Sequence, residues 1–245
     1  MRSQGGLAGA AGPGTLAEIC QAGETGATAI AAPERTPLTY GGLRELAENT
    51  VSTLNAVGIG RGDRVAMVMP NAPETLAAFL AIGSGASTAP LNPAYRQDEH
   101  AFYLADLKAK ALVVRRDGGE EATLARAAAE QHGIPVLELV PDTDGRAGRF
   151  SLKGGTAMQA ARPGFAEPED EALVLHTSGT TSRPKIVPLL QRNLAASARN
   201  ISGVLDLGPA DVCLSIMPLF HIHGLVAGSL APLSAGGSVY VPDRK

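Results

Sequence analysis

Apolar positions recur along this chain with two different spacings. Between residues 43 and 57 they come every three or four residues, which is the stripe of an amphipathic helix. Uninterrupted apolar runs lie at 65–69 and 111–114, and such runs are typical of strands buried on both faces, so strands are predicted over 64–69 and 111–114. Because helical and strand-like stretches alternate, the pattern predicts an α/β fold in which crossover helices connect parallel strands.

The same spacing rules extend this prediction over the rest of the chain. Further helices are predicted at 73–82, 97–108, 121–131, 191–204 and from about residue 224. Further strands are predicted at 134–140, 172–176, around 187, 212–216 and 238–241. Residues 141–170 interrupt the alternation with glycines, prolines and acidic residues, so they are predicted to form a loop or linker.

The composition is that of an ordinary globular protein. Of 245 residues, 44% are hydrophobic and 18% are charged, and the net charge is −3. Since the chain has no basic stripe, nucleic acid is not an expected partner. Cys20 and Cys213 stand far apart without metal-ligand spacing, which predicts two unpaired thiols in a reducing compartment.

Targeting and membrane segments are not expected. Residues 1–14 are rich in Gly and Ala and lack the apolar centre of a secretory signal, so they are predicted to be a disordered lead-in. The longest apolar stretch, 224–235, is shorter than the ~20 residues that a bilayer requires. The sequence therefore predicts a cytoplasmic protein without a membrane span.

Candidate chemistry is concentrated in one polar segment that follows a short apolar run. Its hydroxyl, glycine and lysine residues are Thr177, Ser178, Gly179, Thr180, Thr181, Ser182 and Lys185. Hydroxyl donors, close backbone approach at the glycine and a positive charge suit a nucleotide phosphate. A Walker-type loop is excluded because Pro184 and Ile186 replace its second glycine and its Mg-binding hydroxyl. A Ser/Thr-rich surface turn is the alternative.

Five segments, in order, resemble motifs of the adenylate-forming superfamily, which includes acyl-CoA synthetases, aryl-CoA ligases, luciferases and peptide-synthetase adenylation domains. They lie at 38–46, 60–66, 85–93, 177–185 and 218–225, and the last reads Pro-Leu-Phe-His-Ile-His-Gly-Leu. The chain departs from the usual motif in two places. Ser182-Arg183 replaces a glycine within the loop, and Ile186 stands where the superfamily usually has glycine.

The resemblance implies the N-terminal portion of the adenylate-forming synthetase fold, with layered parallel and mixed sheets and flanking helices. It implies a first α/β subdomain at 15–165 and the start of a second subdomain, which carries the phosphate loop, at 166–245. Segments that complete the second subdomain and the mobile C-terminal domain have no counterpart here. The chain is therefore expected to be a truncated piece of a longer protein and inactive as a ligase by itself.

The resemblance also implies an acid–thiol ligase that uses ATP, Mg²⁺ and coenzyme A. A carboxylate would attack the α-phosphorus of Mg-ATP, and coenzyme A would then displace AMP to give an acyl-CoA. By resemblance, the residues that bind the ATP phosphates are Thr177, Ser178, Gly179, Thr180, Thr181 and Lys185. His221 is implied as the catalytic residue and as a substrate contact, next to the carboxyl group or the thiol path. A core histidine satisfied by a backbone carbonyl is the alternative for His221.

His223 points to the class of acid. The resemblance implies that it lies beside the acyl pocket, where an imidazolium can pair with a second carboxylate. An H-x-H metal site at His221 and His223 lacks a third ligand with fitting spacing, so no metal site is expected. With His176 and Ser182-Arg183, the segment resembles the oxalyl-CoA synthetase (oxalate–CoA ligase) branch.

Three alternatives remain open from the sequence. The acid could be a medium-chain fatty acid or an aryl acid, the chain could belong to an adenylation domain that loads a carrier protein, or it could be a non-catalytic interaction module. The expected partners are a small carboxylic acid, ATP and coenzyme A, and the sequence does not predict the oligomeric state.

Overall fold

The structure is a computed structural model that describes residues 12–177 and 184–242. The α-helices are α1 Leu16–Ile19, α2 Tyr40–Ala56, α3 Pro73–Gly83, α4 Gln97–Leu107, α5 Glu120–Gln131, α6 Gln191–Leu205 and α7 Ala231–Ser234. A π-helix spans His223–Leu230. The strands are β1 Thr28–Ala31, β2 Leu38–Thr39, β3 Arg64–Val68, β4 Ser87–Pro90, β5 Ala111–Arg115, β6 Val136–Pro141, β7 Phe150–Gly154, β8 Glu171–Thr177, β9 Lys185–Leu190, β10 Val212–Leu214 and β11 Ser238–Tyr240.

The long helices begin where the local chemistry predicts. The Thr39 hydroxyl accepts a hydrogen bond from the Gly42 N–H at 3.2 Å, which caps α2, and the apolar stripe of that helix is buried. Pro73 opens α3, where its missing N–H costs nothing. Every residue of α3 is buried, because this helix lies between elements on several sides and is apolar almost all round.

The larger sheet has seven strands in the order β7-β6-β5-β3-β4-β8-β9. Strands β3, β4, β5, β6 and β8 run parallel to one another, and helices α3, α4 and α5 form the crossovers from β3 to β6 as the pattern predicts. The two edge strands, β7 and β9, run antiparallel to β6 and β8. The predicted α/β class with parallel and mixed sheets is confirmed.

The prediction of a loop or linker over 141–170 is wrong in part, because this stretch contains β7. Phe150 and Leu152 face the core while Ser151 and Lys153 face outward, which is the alternation of a half-buried strand. The strand is only five residues long, and glycines and polar residues surround it. Because such neighbours are typical of turns, the sequence pattern predicts a loop there despite the short alternation.

The smaller sheet joins the two ends of the described chain. Its order is β10-β11-β1-β2, and β1 pairs in parallel with β11. The buried Tyr40 hydroxyl, which can donate to only one acceptor at a time, lies 3.0 Å from the Leu233 carbonyl and 2.7 Å from that of Gly237.

Since β8 and β9 also complete the larger sheet, the stretches 15–165 and 166–245 share both sheets. Their assignment as separate subdomains stays a prediction.

The two thiols are free within the described chain, and burial makes the first one inert. Burial raises the pKa of the Cys20 thiol to about 12, and it also raises the pKa of Cys213.

The helices described within residues 12–177 and 184–242 are all too short or too polar to span a bilayer.

Candidate functional site

The predicted phosphate loop connects the two strands of an antiparallel hairpin. Thr177, the last residue of β8, lies opposite Lys185, the first residue of β9, and both side chains are exposed. The backbone therefore places a hydroxyl donor and a cation side by side where the loop leaves and re-enters the sheet. The other four predicted phosphate-binding residues, Ser178, Gly179, Thr180 and Thr181, lie outside the described residues.

The side chain of His176 connects the strand that leads into this loop, β8, to helix α4. Its Nε2 atom lies 3.0 Å from Oδ2 of Asp106 on α4, and its side chain is only 7% exposed. The ring of Tyr103 meets the imidazole edge-on, with ring centroids 4.6 Å apart, and Tyr95 stacks on Tyr103 at 4.8 Å. These contacts fix the chain one residue before Thr177. The partner of His176 is 70 positions away in the sequence, so no local pattern identifies it.

The histidine segment begins with a tight turn. The His221 N–H donates to the Pro218 carbonyl at 3.1 Å, and the Leu225 N–H donates to the His221 carbonyl at 3.1 Å. Gly224 packs directly on the same carbonyl, since a Cβ atom at this position would lie 2.4 Å from the Pro218 oxygen. The side chains of His221 and His223 are exposed on the outside of this turn, while Leu219 is buried.

The helix predicted from about residue 224 has π geometry over its first eight residues, His223–Leu230. The Ala231 N–H donates to the Val226 carbonyl, five residues back, and the Ser229 hydroxyl donates to the Gly224 carbonyl at 2.8 Å. Pro232 has no N–H and so cannot continue α-helical bonding into this stretch. Short π segments occur frequently at functional sites, and here the wider turn begins at His223.

A cavity of about 360 Å³ lies between β9, α6 and the π-helix. Its residues are mainly apolar: Leu189, Leu194, Ile201, Ile222, Val226 and Ala227. Asn193, Ser197 and His223 supply the polar side chains of its wall. Of the two predicted histidines, His223 therefore lines this cavity, whereas His221 lies outside its lining.

One face of β9 connects the cavity with the end of the phosphate loop. Lys185 and Leu189 are four residues apart on the same strand, so the two-residue period of a strand puts them on the same face, about 13 Å apart. Leu189 lines the cavity and Lys185 stands at the loop. A ligand that extends along this face can contact both. The structure thus brings Thr177, Lys185 and His223 to one side of the hairpin.

Metal ligands do not gather in the part of the chain that the structure describes. No three His, Cys, Asp or Glu side chains come together there as a metal site requires.

Sequence comparison identifies the family. Residues 18–245 match the family described as AMP-binding enzyme. The chain belongs to this family. The predicted resemblance to the adenylate-forming superfamily is thereby confirmed, and the matched region covers nearly the whole chain.

Curated relatives of this AMP-binding enzyme carry CoA ligase names. The chain is 43% identical over 208 residues to the probable CoA ligase CCL9 of Humulus lupulus, covering 84% of this chain and 39% of that protein. It is 41% identical over 207 residues to the oxalate–CoA ligase of Arabidopsis thaliana, covering 84% of this chain and 40% of that protein. The chain therefore spans about 40% of the length of these relatives.

Solved structures agree with the family assignment. MatB from Rhodopseudomonas palustris, in its ATP-bound form, superimposes with a TM-score of 0.75 at 29% identity, covering 93% of this chain and 44% of that chain. The apo form of the same protein gives a TM-score of 0.75 and covers 45% of that chain. The fold is thus that of the N-terminal part of longer adenylate-forming enzymes.

Proposed function

We propose that the protein to which this chain belongs is an ATP-dependent carboxylate–CoA ligase. It would form an acyl-adenylate from Mg-ATP and an organic acid, and then an acyl-CoA thioester. The observation that carries this proposal is the hairpin that pairs Thr177 with Lys185 on the same face as the cavity lined by His223. Relatives named as CoA ligases, among them two oxalate–CoA ligases, support the same reaction class.

Different residues of the chain would bind different parts of the substrates. Thr177, Lys185 and the loop between them would hold the β- and γ-phosphates, because hydroxyl donors and a cation neutralise phosphate charge. His221, exposed at the turn, would contact the carboxyl group or the path of the thiol. His223 would contact the distal end of the acid inside the cavity. The acid and the phosphates would thereby be held along one strand face, which is mainly catalysis by positioning.

We infer that the acid is oxalate or another small acid with a second anionic group. His223 can pair with that second group, and relatives at 41% and 38% identity are named oxalate–CoA ligases. A further relative, 36% identical, is named sulfoacetate–CoA ligase. The mainly apolar wall of the cavity favours a second candidate, a medium-chain fatty or aryl acid with an apolar tail.

A screen of acids tests this proposal. The full-length protein is expected to release pyrophosphate from Mg-ATP only when a carboxylic acid is present, and fastest with oxalate or a similar acid. Reaction with medium-chain or aryl acids while oxalate is inert would overturn the small-acid assignment and keep the class. Exchange driven by amino acids alone would indicate a carrier-protein adenylation domain instead. The 245-residue chain by itself is expected to show no ligase turnover.

Replacing Lys185 with alanine in the full-length protein is expected to slow adenylation about tenfold to a hundredfold. Loss of one positioned donor in a buried oxyanion hole costs ~10²–10³ in rate, and the effect is smaller here because Lys185 is exposed. Initial rates of acid-dependent pyrophosphate release measure it. Lys153→Ala, an exposed lysine on β7, serves as the control and should leave the rate unchanged. A Lys185→Ala variant at the wild-type rate would contradict the assigned role.

Replacing His223 with alanine is expected to change which acid is preferred rather than the affinity for ATP. Without the imidazole, the cavity loses a partner for a second anionic group and gains apolar space. The ratio of kcat/KM for oxalate to kcat/KM for a medium-chain acid should fall about tenfold, the cost of one charge-assisted hydrogen bond. The exposed His132 provides a matched control, since His132→Ala should leave this ratio unchanged. An unaltered ratio in His223→Ala would place the distal end of the acid elsewhere.

A further inference from the structure

The side chain of Asn71 makes two hydrogen bonds to the backbone of the histidine segment. Asn71 lies in the loop between β3 and α3. Its Oδ1 atom accepts from the Leu219 N–H at 2.9 Å, and its Nδ2 atom donates to the Met217 carbonyl at 3.0 Å. The two bonded groups flank Pro218, which has no N–H of its own to offer. One amide group therefore satisfies the backbone on both sides of this proline.

The backbone that Asn71 holds is the one on which the two histidines depend. The carbonyl of Pro218 accepts the His221 N–H and is the surface on which Gly224 packs. Leu219 anchors the same turn in the core with 1% of its surface exposed. A shift of this backbone would therefore move His221 directly and His223 through Gly224.

The loop that carries Asn71 is itself fixed. The Thr75 hydroxyl donates to the Pro70 carbonyl at 2.6 Å, and α3 starts at Pro73 immediately after the loop. All residues of α3 are buried, which leaves its first turn little freedom to move. Asn71 thus connects a rigid part of the larger sheet region to the exposed histidine turn.

We propose that Asn71 is a positioning residue for binding of the acid. It sets the place of His221 and His223 through the 217–219 backbone rather than acting in phosphate binding, since its side-chain hydrogen bonds go to Met217 and Leu219. The role of Asn71 in acid binding rests on the carboxylate–CoA ligase function proposed above. The two hydrogen bonds of Asn71 to the backbone of the turn do not depend on that function.

Two variants separate the hydrogen bonds of Asn71. Asn71→Asp keeps the shape and the Oδ1 acceptor but replaces the Nδ2 donor with an oxygen that faces the Met217 carbonyl. Asn71→Ala removes both bonds. In pyrophosphate-release assays of the full-length protein, each is expected to raise the KM for the acid about tenfold while the KM for ATP changes less than about twofold, because each variant loses at least one of the two hydrogen bonds that hold the 217–219 backbone.

Asn55 provides a matched control. Its side chain also binds the backbone on both sides, donating to the Ile59 carbonyl at 2.9 Å and accepting from the Gly164 N–H at 2.7 Å. Because neither partner belongs to the histidine segment, Asn55→Asp is expected to lower the stability while leaving the KM for the acid unchanged. An equal rise of the acid KM in Asn55→Asp, or equal rises for acid and ATP in Asn71→Asp, would overturn the proposal.

A second readout does not depend on turnover. Backbone hydrogen exchange at Leu219 and His221 is expected to be about tenfold faster in Asn71→Ala than in the unchanged protein, and no faster in Asn55→Asp. Unchanged exchange at these two amides would overturn the positioning role whatever the activity. If instead exchange rises as expected but no acid supports pyrophosphate release by the unchanged protein, the ligase function fails and the backbone role of Asn71 stands.

Discussion

Replacing Glu74 with alanine is expected to lower the free energy of unfolding by about 3–5 kcal/mol, the cost of breaking a buried ion pair by removing one partner. The Glu74 carboxylate is 1% exposed in the first turn of α3. Its Oε1 atom lies 2.5 Å from Nη2 of Arg35 and 3.3 Å from the Gly148 N–H, and its Oε2 atom lies 3.5 Å from Nη1 of Arg115. Removing the carboxylate takes away the charge that these partners share at a site where the Arg35 and Arg115 side chains are only 20% and 21% exposed.

Equilibrium unfolding in urea, followed by circular dichroism, measures this loss. Glu169→Ala is the matched control, because Glu169 forms an exposed pair with Arg192 at 3.3 Å in which both side chains are more than half exposed. Removing an exposed pair costs ~0–1 kcal/mol. Equal losses in the two variants would show that burial of Glu74 does not govern its contribution.

Replacing Gly224 with alanine is expected to cost about 3 kcal/mol of stability and to abolish acid-dependent pyrophosphate release. The new Cβ atom would lie 2.4 Å from the Pro218 oxygen and 3.1 Å from the Met217 oxygen, and both neighbours are backbone atoms that cannot swing aside. Overpacking of this kind typically costs ~1–3 kcal/mol, and a backbone neighbour puts this site at the upper end. The turn must open, which displaces both histidines.

Gly203 in α6 is the natural comparison for this variant. A Cβ atom there has nothing within 4 Å, so alanine gains helix propensity without a clash. Gly203→Ala is expected to be neutral or to stabilise the protein by up to ~1 kcal/mol. Thermal unfolding of both variants tests the pair, and a Gly224→Ala protein as stable and as active as the unchanged one would contradict the tight approach at Pro218.

The sequence predicted the regular elements well where one spacing ran for many residues. The stripe in α2 and the apolar runs of β3 and β5 needed only local information, and the structure has them within three residues of the predicted bounds. Two features were not predicted. Strand β7 has only two core-facing side chains, Phe150 and Leu152, and the π-helix differs from an α-helix in its bonding pattern, which hydrophobic spacing does not encode.

The candidate site divides in the same way between local and distant information. Thr177, Lys185, His221 and His223 could be named because they belong to contiguous motifs. Asn71 and Asp106 could not, since their contacts join residues 146 or more positions apart in the first case and 70 in the second. Such pairs are brought together by the packing of α3, α4 and the sheet, and a single sequence carries no signal for them.

The π-helix at His223–Leu230 has a consequence for insertions and deletions in this segment. Its bonds reach five residues back, so each turn holds about one residue more than an α-helical turn. If one residue were deleted, four-residue bonding could form instead, and a shorter α-helical turn would then replace a wider turn with nearly the same rotation about the helix axis. His223 would keep its place in the cavity wall. An inserted residue has no such change of bonding to absorb it, so it would turn His223 about the axis by ~100°. The segment is therefore expected to tolerate the loss of a residue better than the gain of one.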